Sequence, residues 1–211
     1  MTALDSSQWM YNPSTSFYSH TIDQSLRFED GDSPYLHFTP SSDGNSDNFT
    51  FSCWAKRSNT ASATYVLFGV SIGNNQWFFL GFTNNGNLDV RQYHNSYTIR
   101  KISTALFRDS SSYYNIVMAY DSDNSTAEDR VKLYVNGDRI TDFGTNTNPS
   151  SGLDGYPAQN HKHVIGAFTH NNVESNYFDG YMAEVNFVDG TTLDPTSFGE
   201  TKAGIWIPKD T

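Results

Sequence analysis

The stretch NFTFSCWAKR, residues 48–57, is the clearest indication of the fold in the sequence, because its side chains alternate strictly between two faces. Successive side chains of a β-strand point to opposite sides of the sheet, so this alternation predicts a strand with one buried face. The buried face would carry Phe49, Phe51, Cys53 and Ala55. Residues 181–188 show the same pattern, with Tyr181, Ala183, Val185 and Phe187 directed inward. One-sided burial of this kind is typical of antiparallel sheets.

Outward from residues 48–57, short runs of the same kind recur along the chain between clusters of Gly, Asn, Asp and Ser. Such spacing predicts an all-β sandwich of two antiparallel sheets. The predicted strands are residues 25–28, 35–39, 48–57, 65–70, 77–83, 88–93, 97–102, 113–120, 130–135, 164–168 and 177–188. Asn136-Gly137 is the strongest hairpin signal, since both residue types accept positive φ.

The periodicity divides the chain into three parts. Residues 1–24 have no steady period and are expected to form an extended, aromatic N-terminal arm. Residues 25–190 would form the sandwich, in which residues 144–161 are the longest irregular loop, rich in Asn, Pro, Ser and Gly. Residues 191–211 would form a C-terminal tail that packs on the sandwich.

Composition excludes several classes of protein. The net charge of −10 repels a phosphate backbone, so we expect no nucleic-acid partner. No apolar run approaches the 18 or so residues of a membrane-spanning helix, and we expect no membrane association. The single cysteine, Cys53, forms no intramolecular disulfide and is predicted to be a small buried apolar residue. The N-terminus has neither the basic nor the apolar segment of a signal peptide.

Four segments carry a family resemblance when their order and spacing are taken together. They are residues 48–56, 113–121, 129–137 and 177–187. In this order they resemble the laminin-G-like, or concanavalin A-like, lectin/glucanase superfamily, in which equivalent segments are strands of two jelly-roll sheets. The resemblance therefore implies a jelly-roll β-sandwich of two antiparallel sheets and a lectin-like surface.

A narrower resemblance rests on QSLRF at residues 24–28 and on the close of the chain. FDG at 178–180, LDPTSFGE at 193–200 and IWIPK at 205–209 resemble domains in virion and tail-fibre proteins of marine bacteriophages. This resemblance implies a virion-surface protein, made in the host cytoplasm and released by lysis, which agrees with the absence of disulfides and of a signal peptide.

Because the superfamily includes glucanases, catalysis has to be considered. Retaining glycosidases need two carboxyl groups about 5 Å apart. In the catalytic branch of the superfamily they stand on one strand as E-x-D-x-E, but here Glu184 is followed two residues later by Asn186. We therefore predict no catalytic residues and no enzyme activity, and interpret Glu184 as a hydrogen-bonding partner for a loop.

Metal ligands are sparse in the sequence. His161 and His163 have strand spacing, but a zinc site normally needs a third or fourth ligand, so we predict no metal site there. Residues 121–125, DSDNS, resemble the start of a calcium loop without the Gly at its sixth position or the acid at its twelfth. The expectation is no cofactor, with weak calcium binding as the alternative.

Sugar sites usually combine a flat aromatic ring with polar groups that satisfy hydroxyls. Trp54 points away from the predicted core face and is the candidate for stacking on a sugar. Arg91, Tyr93 and Asn136 are its candidate polar neighbours. The alternative for Trp54 is packing beneath a loop, for Arg91 and Tyr93 an ordinary strand surface, and for Asn136 a simple turn.

Two functions follow from these observations and stay open. One is a tail-fibre or receptor-binding module that attaches to a cell-surface glycan of the host. The other is a capsid decoration or head-fibre protein whose arm docks on other virion proteins. A glycan hydrolase is a distant third. We expect a homo-oligomer, with a trimer as one form, because exposed strands and an aromatic arm invite partners.

Overall fold

The computed structural model describes residues 17, 18, 20–59, 63–171 and 173–210. Its strands are β1 Leu26–Phe28, β2 Leu36–Phe38, β3 Asn48–Arg57, β4 Tyr65–Gly73, β5 Gln76–Phe82, β6 Asn87–His94, β7 Tyr97–Leu106, β8 Tyr114–Asp121, β9 Val131–Val135, β10 Asp138–Ile140, β11 Phe143–Thr147, β12 Lys162–Ile165, β13 Phe168–His170, β14 Val173–Ser175, β15 Gly180–Asp189, β16 Gly199–Lys202 and β17 Ile205–Pro208. Short 3-10 turns cover Asp30–Asp32, Ala127–Asp129, Tyr156–Ala158 and Pro195–Ser197. Within these ranges, no helical segment reaches the length and apolarity that crossing a lipid bilayer requires.

The strands form two large antiparallel sheets. The six-stranded sheet has the order β1-β15-β3-β8-β9-β10, and the seven-stranded sheet has the order β11-β7-β6-β5-β4-β12-β2. Strand β3, the stretch from which the prediction began, lies inside the first sheet between β15 and β8. The predicted all-β jelly-roll sandwich is therefore confirmed.

The core fills the space between the two sheets. The four alternate residues predicted for the inner face of β3, Phe49, Phe51, Cys53 and Ala55, are each at most 1% exposed. Phe51 of one sheet stacks on Phe68 of the other, with ring centroids 4.8 Å apart. Each fully buried Phe contributes about 2 kcal/mol through removal of apolar surface from water. The core thus follows directly from the alternation in the sequence.

Strand β15 departs from the predicted alternation. Val185 and Phe187 pack against the core as expected, but the inward residue before them is Met182, not Tyr181 or Ala183. The register against β3 shifts between Ala183 and Asn186, and Glu184 has a positive φ of 44°. This β-bulge adds one residue, which reverses the side-chain faces on its two sides. The inward placement predicted for Tyr181 and Ala183 is therefore wrong.

Three other predicted segments differ from the structure. Residues 164–168 form two strands, because Gly166 turns the chain at a φ of 83° and leaves space for the Phe28 ring. The predicted irregular loop at residues 144–161 begins within β11, which pairs with β7. The C-terminal tail contains a hairpin, β16–β17, whose Trp206 ring lies against Gly137 and Gly199. The first and third differences arise at local turns, whereas the β11–β7 pairing joins segments about 40 residues apart.

Most of the predicted N-terminal arm lies outside the described residues. Of residues 1–24, the structure describes 17, 18 and 20–24. This part runs over the outer face of the six-stranded sheet, where His20 Nε2 lies 2.6 Å from Glu184 Oε1. The β-bulge therefore places the Glu184 carboxylate where the arm crosses the sheet.

Candidate ligand-binding site

The outer face of the seven-stranded sheet carries a cluster of partly exposed aromatic rings. Trp77 on β5 lies opposite Tyr93 on β6, and their rings stack with centroids 5.3 Å apart and planes 12° apart. Tyr97 on β7 lies opposite Tyr93 and meets it edge-on at 5.2 Å. Cross-strand aromatic pairs of this kind stabilise a sheet and hold each ring in a defined orientation. Three adjacent strands thus present one ordered aromatic surface.

The hairpin β13–β14 forms a wall beside these rings. Gly69 on β4 permits its close approach, since a Cβ there would lie 3.0 Å from the carbonyl oxygen of Ala167. Phe168 at the start of β13 meets Trp77 edge-on at 5.2 Å and Phe79 at 6.1 Å. We call Trp77, Tyr93, Tyr97 and Phe168 the aromatic platform. It combines partly exposed, ordered rings with a border formed by the β13–β14 hairpin.

Two arginines and one carboxylate lie beside the aromatic platform. Asp89 is fully buried and accepts hydrogen bonds from Arg91 Nε at 2.8 Å and 3.0 Å, and another from Arg91 Nη2. Arg91 lies opposite Arg100 on β7, and the Arg100 guanidinium stands 4.6 Å from the centroid of the Tyr97 ring. Two guanidinium groups therefore share one carboxylate, which leaves a local excess of positive charge.

The buried ion pair controls ionisation on this face. Burial raises the pKa of Asp89, whereas the hydrogen bonds and charge of Arg91, with the charge of Arg100, act in the opposite direction. Burial acts to lower the pKa of Arg91, but the hydrogen bonds to Asp89, the charge of Asp89 and the contributions of Tyr97 together raise that pKa. The bidentate contact keeps Arg91 charged and holds its guanidinium in one orientation.

Trp54 and Asn136 belong to the opposite face of the molecule. Trp54 points away from the core, as predicted, but it is only 5% exposed. A cavity of about 310 Å³ separates it from residues of the arm and from Pro208. The Asn136 side chain accepts a hydrogen bond of 2.8 Å from the Asn115 backbone N–H. In this conformation Trp54 is not available for stacking on a sugar, and Asn136 stabilises the β9–β10 turn.

The four predicted site residues therefore separate into two pairs on different sheets. Arg91 and Tyr93 lie at the aromatic platform, and their role in ligand binding stays a prediction. The residues that sequence reasoning missed are Trp77, Tyr97, Arg100 and Phe168. Trp77 and Tyr97 each begin a predicted strand and were visible as aromatics, but only the register places them beside Tyr93.

The carboxylates of the two faces do not form a glycosidase pair. Glu184 lies on the six-stranded sheet and contacts His20, whereas Asp89 lies on the seven-stranded sheet and is held by Arg91. Packed sheets lie about 10 Å apart, so carboxylates on the two outer faces are farther apart than the roughly 5 Å that a retaining mechanism needs. The interpretation of Glu184 as a partner for another segment agrees with its contact to His20.

The two segments that were considered as metal ligands make structural contacts. His163 stacks between Phe38 and Phe68, and both its ring nitrogens lie within 2.7 Å of backbone carbonyl oxygens. In the DSDNS loop, Asp121 accepts a hydrogen bond from the Asn124 side chain within the same turn.

The fold brings together one group of carboxylates that the sequence did not indicate. Glu29, Asp30 and Asp179 lie with one oxygen of each within 4.8 Å of the others. Burial raises the pKa of Asp179, and the charges of Asp30 and Glu29 add to this. Arg27 forms an ion pair of 2.5 Å with Glu29, which supplies a positive charge to this group.

The fold and the aromatic platform define a lectin-like β-sandwich. Residues 30–196 match the family model of the concanavalin A-like lectin/glucanases superfamily, Laminin_G_3, and the chain belongs to this family. No curated protein matches the sequence at a significant level. The match confirms the predicted superfamily.

Solved structures show the same fold at low sequence identity. Mouse laminin α1 domains LG4-5 match with a TM-score of 0.55 and 12% identity, over 79% of this chain and 42% of that chain. Domain 4 of AbnA, a GH43 extracellular arabinanase from Geobacillus stearothermophilus in complex with arabinotriose, matches at 0.52 and 17%, over 71% and 64%. The CBM40 of the Ruminococcus gnavus IT-sialidase matches at 0.50 and 14%, over 82% and 95%. The chain thus spans less than two thirds of the laminin and arabinanase structures.

Proposed function

We propose that this chain is a non-catalytic carbohydrate-binding protein whose aromatic platform binds an oligosaccharide. The observation that carries the proposal is the stacked pair of Trp77 and Tyr93, partly exposed on the outer face of β5 and β6. A partly exposed aromatic ring can pack against the apolar face of a pyranose, and neighbouring polar groups satisfy its hydroxyls. The arabinotriose complex of a structural neighbour supports this class of ligand.

The polar groups needed for hydroxyl recognition stand at the border of the aromatic platform. Arg91 remains 25% exposed at its side chain while Asp89 fixes its orientation. Preorganised donors of this kind cost less conformational entropy on binding than free side chains. The Arg91 guanidinium is therefore suited to direct hydrogen bonds with sugar oxygens beside the ring stack.

A glycan array followed by calorimetry tests the proposal. Wild-type protein should bind at least one oligosaccharide, and Trp77→Ala should lose that binding. Tyr181→Ala is the matched control, because Tyr181 is a partly exposed aromatic on the six-stranded sheet. Equal loss of binding in both variants, or an array without any bound glycan, would remove the basis of the proposal.

For the biological setting, we propose attachment of a bacteriophage particle to a host glycan, with the chain as a tail-fibre or receptor-binding component. The support is the resemblance of residues 24–28 and of the C-terminal segments to phage virion domains. Gold-labelled antibody against the protein should decorate tails. Labelling of heads would favour the capsid-decoration alternative, and unlabelled particles would exclude both locations.

A further inference from the structure

Among the described residues, no carboxylate makes a direct contact with the Arg100 guanidinium. Its Nε atom is buried and unpaired, and among the described residues no hydrogen bond or ion pair engages its guanidinium. Asp89, the carboxylate in this part of the sheet, is already engaged by Arg91. A partly buried, unpaired cation is costly for a folded protein unless it has another use.

The position of Arg100 suggests what that use is. Its guanidinium lies against the ring of Tyr97, and Tyr97 meets both Trp77 and Tyr93 edge-on. The cation therefore stands at the margin of the stacking surface, on the same face and directly opposite Arg91. A sugar ring stacked on the aromatic platform would bring its substituents next to this group.

The local charge at the aromatic platform is opposite in sign to the net charge of the whole chain. With a net charge of −10, the protein as a whole repels anions, yet two guanidinium groups and one carboxylate leave an excess positive charge at the aromatic platform. A local cation in an acidic protein selects an anionic ligand and gives little advantage to a neutral one. Guanidinium is also the side-chain group whose planar fork fits the paired oxygens of an anionic substituent.

We infer that the ligand of the aromatic platform is an acidic glycan, whose anionic substituent, a carboxylate or a sulfate ester, pairs with Arg100 while its ring stacks on Trp77 and Tyr93. This inference rests on the proposed carbohydrate-binding function and names its ligand class. Arg91 is the second donor, and its pairing with Asp89 leaves Arg100 as the group that discriminates charge.

The test compares oligosaccharides of matched length by calorimetry at low and moderate salt. The probes are oligogalacturonate, which carries carboxylates, a sulfated galacto-oligosaccharide, and neutral galacto-oligosaccharide. Wild-type protein should bind one of the acidic probes about tenfold or more tightly than the neutral probe, as expected for one charge-assisted hydrogen bond. The preference should weaken as salt is raised, since the site is partly exposed.

Arg100→Gln should lower the affinity for the acidic probe by about tenfold or more and reduce the affinity for the neutral probe much less, so that the preference is lost. Arg139→Gln is the matched control, because it removes the same charge from β10 on the other sheet, where Arg139 pairs with Asp129. Circular dichroism checks the fold of both variants, and the wild-type comparison stands even if Arg100→Gln fails to fold.

The possible results distinguish failure of the acidic-glycan inference from failure of the carbohydrate-binding function. Equal wild-type affinity for acidic and neutral probes, with loss of both in Trp77→Ala, overturns the acidic-glycan inference and retains the carbohydrate-binding function. A preference that persists in Arg100→Gln also overturns the role of Arg100. Failure of every oligosaccharide to bind wild-type protein overturns the inference together with the proposed function.

Discussion

The two outer faces of the sandwich carry similar side chains but differ in what covers them. On the seven-stranded sheet, Trp77 and Tyr93 remain partly exposed beside the β13–β14 wall. On the six-stranded sheet, Trp54 also points outward but is covered where the arm and Pro208 cross it. The direction of a side chain follows from strand alternation, whereas its access to solvent depends on which distant segment lies over it. An outward tryptophan is therefore a ligand-binding candidate only where the chain leaves that face open.

The largest effect expected from this comparison is on stability. Trp54→Ala should lower the free energy of unfolding by about 3 kcal/mol, because a large buried ring is removed next to an existing cavity. Trp54→Phe should cost far less, since it keeps an aromatic ring and removes a buried indole N–H that has no described partner. Urea denaturation measures both. A Trp54→Ala variant as stable as wild type would show that the arm does not cover Trp54 in solution.

The next largest effect is on ligand affinity. Trp77→Ala should weaken oligosaccharide binding by about 2 kcal/mol, roughly 30-fold, because the central stacking ring of the aromatic platform is lost. Trp54→Phe should leave affinity within about a factor of two, since its ring lies on the opposite face. Calorimetry on one oligosaccharide compares the two directly. If Trp54→Phe weakened oligosaccharide binding more than Trp77→Ala, the ligand would bind at the six-stranded sheet and not at the aromatic platform.

A smaller effect concerns Lys101, which lies between the two sheets and is 1% exposed. Burial lowers its pKa to about 8, while its Nζ donates to Asn146 Oδ1 at 2.8 Å and stands 4.7 Å from the Phe143 ring centroid. Lys101→Met should therefore stabilise the protein by about 1 kcal/mol at pH 7, after allowance for screening by the charges around it.

The pH dependence of this stabilisation has a definite sign. The folded-state pKa lies below the unfolded value of about 10.4, so unfolding takes up a proton between the two and wild-type stability rises with pH there. The advantage of Lys101→Met should shrink from pH 7 to pH 10. Lys132→Met, on the partly exposed side of β9, is the control that should show no such trend. A constant difference across this range would mean that burial does not lower the pKa of Lys101.

The smallest expected effect is on the contact between the arm and the outer face of the six-stranded sheet. The hydrogen bond to Glu184 raises the pKa of His20, and the charges of Glu184, Asp210 and Asp23 add to this. Because the folded-state pKa is raised, the contribution of protonated His20 is fully present below its unfolded value of about 6.5 and is lost as pH rises through the folded value. The backbone amides of residues 20–25 should then exchange their hydrogens faster at alkaline pH, after correction for the pH dependence of the intrinsic exchange rate.

Glu184→Gln should remove most of this pH dependence, since the neutral amide gives no ion pair with the imidazolium. Asp189→Asn, at the other end of β15, is the control that leaves the contact with His20 intact. Exchange rates in residues 20–25 that respond to pH equally in both variants would exclude the contact as the cause.

Much of the fold could be predicted because strand alternation is a local property. The inner face of β3 and the Asn136-Gly137 hairpin were readable directly, since side-chain direction and positive φ depend on a few adjacent residues. The same local rule was wrong at Tyr181 and Ala183, where the bulge at Glu184 inserts one residue. A bulge is defined by the partner strand, so the sequence of β15 alone did not indicate it.

The candidate site could be predicted only in part. Arg91 and Tyr93 were identified from one strand, but their neighbours Trp77, Tyr97 and Phe168 come from three others. Their proximity depends on the register between strands and on the path of β13 over Gly69. Register between distant segments is set by the packing of the whole core.

Alternation along single strands was enough to predict an antiparallel sandwich, most of the residues that fill it, and the outward direction of Trp54. The tertiary contacts were needed to show that Trp54 is covered, that Trp77 stays accessible, and that no hydrogen bond or ion pair of the described residues engages the Arg100 guanidinium. Side-chain direction along a strand is fixed by neighbouring backbone geometry. Exposure and charge balance instead depend on segments that are brought together from distant parts of the chain.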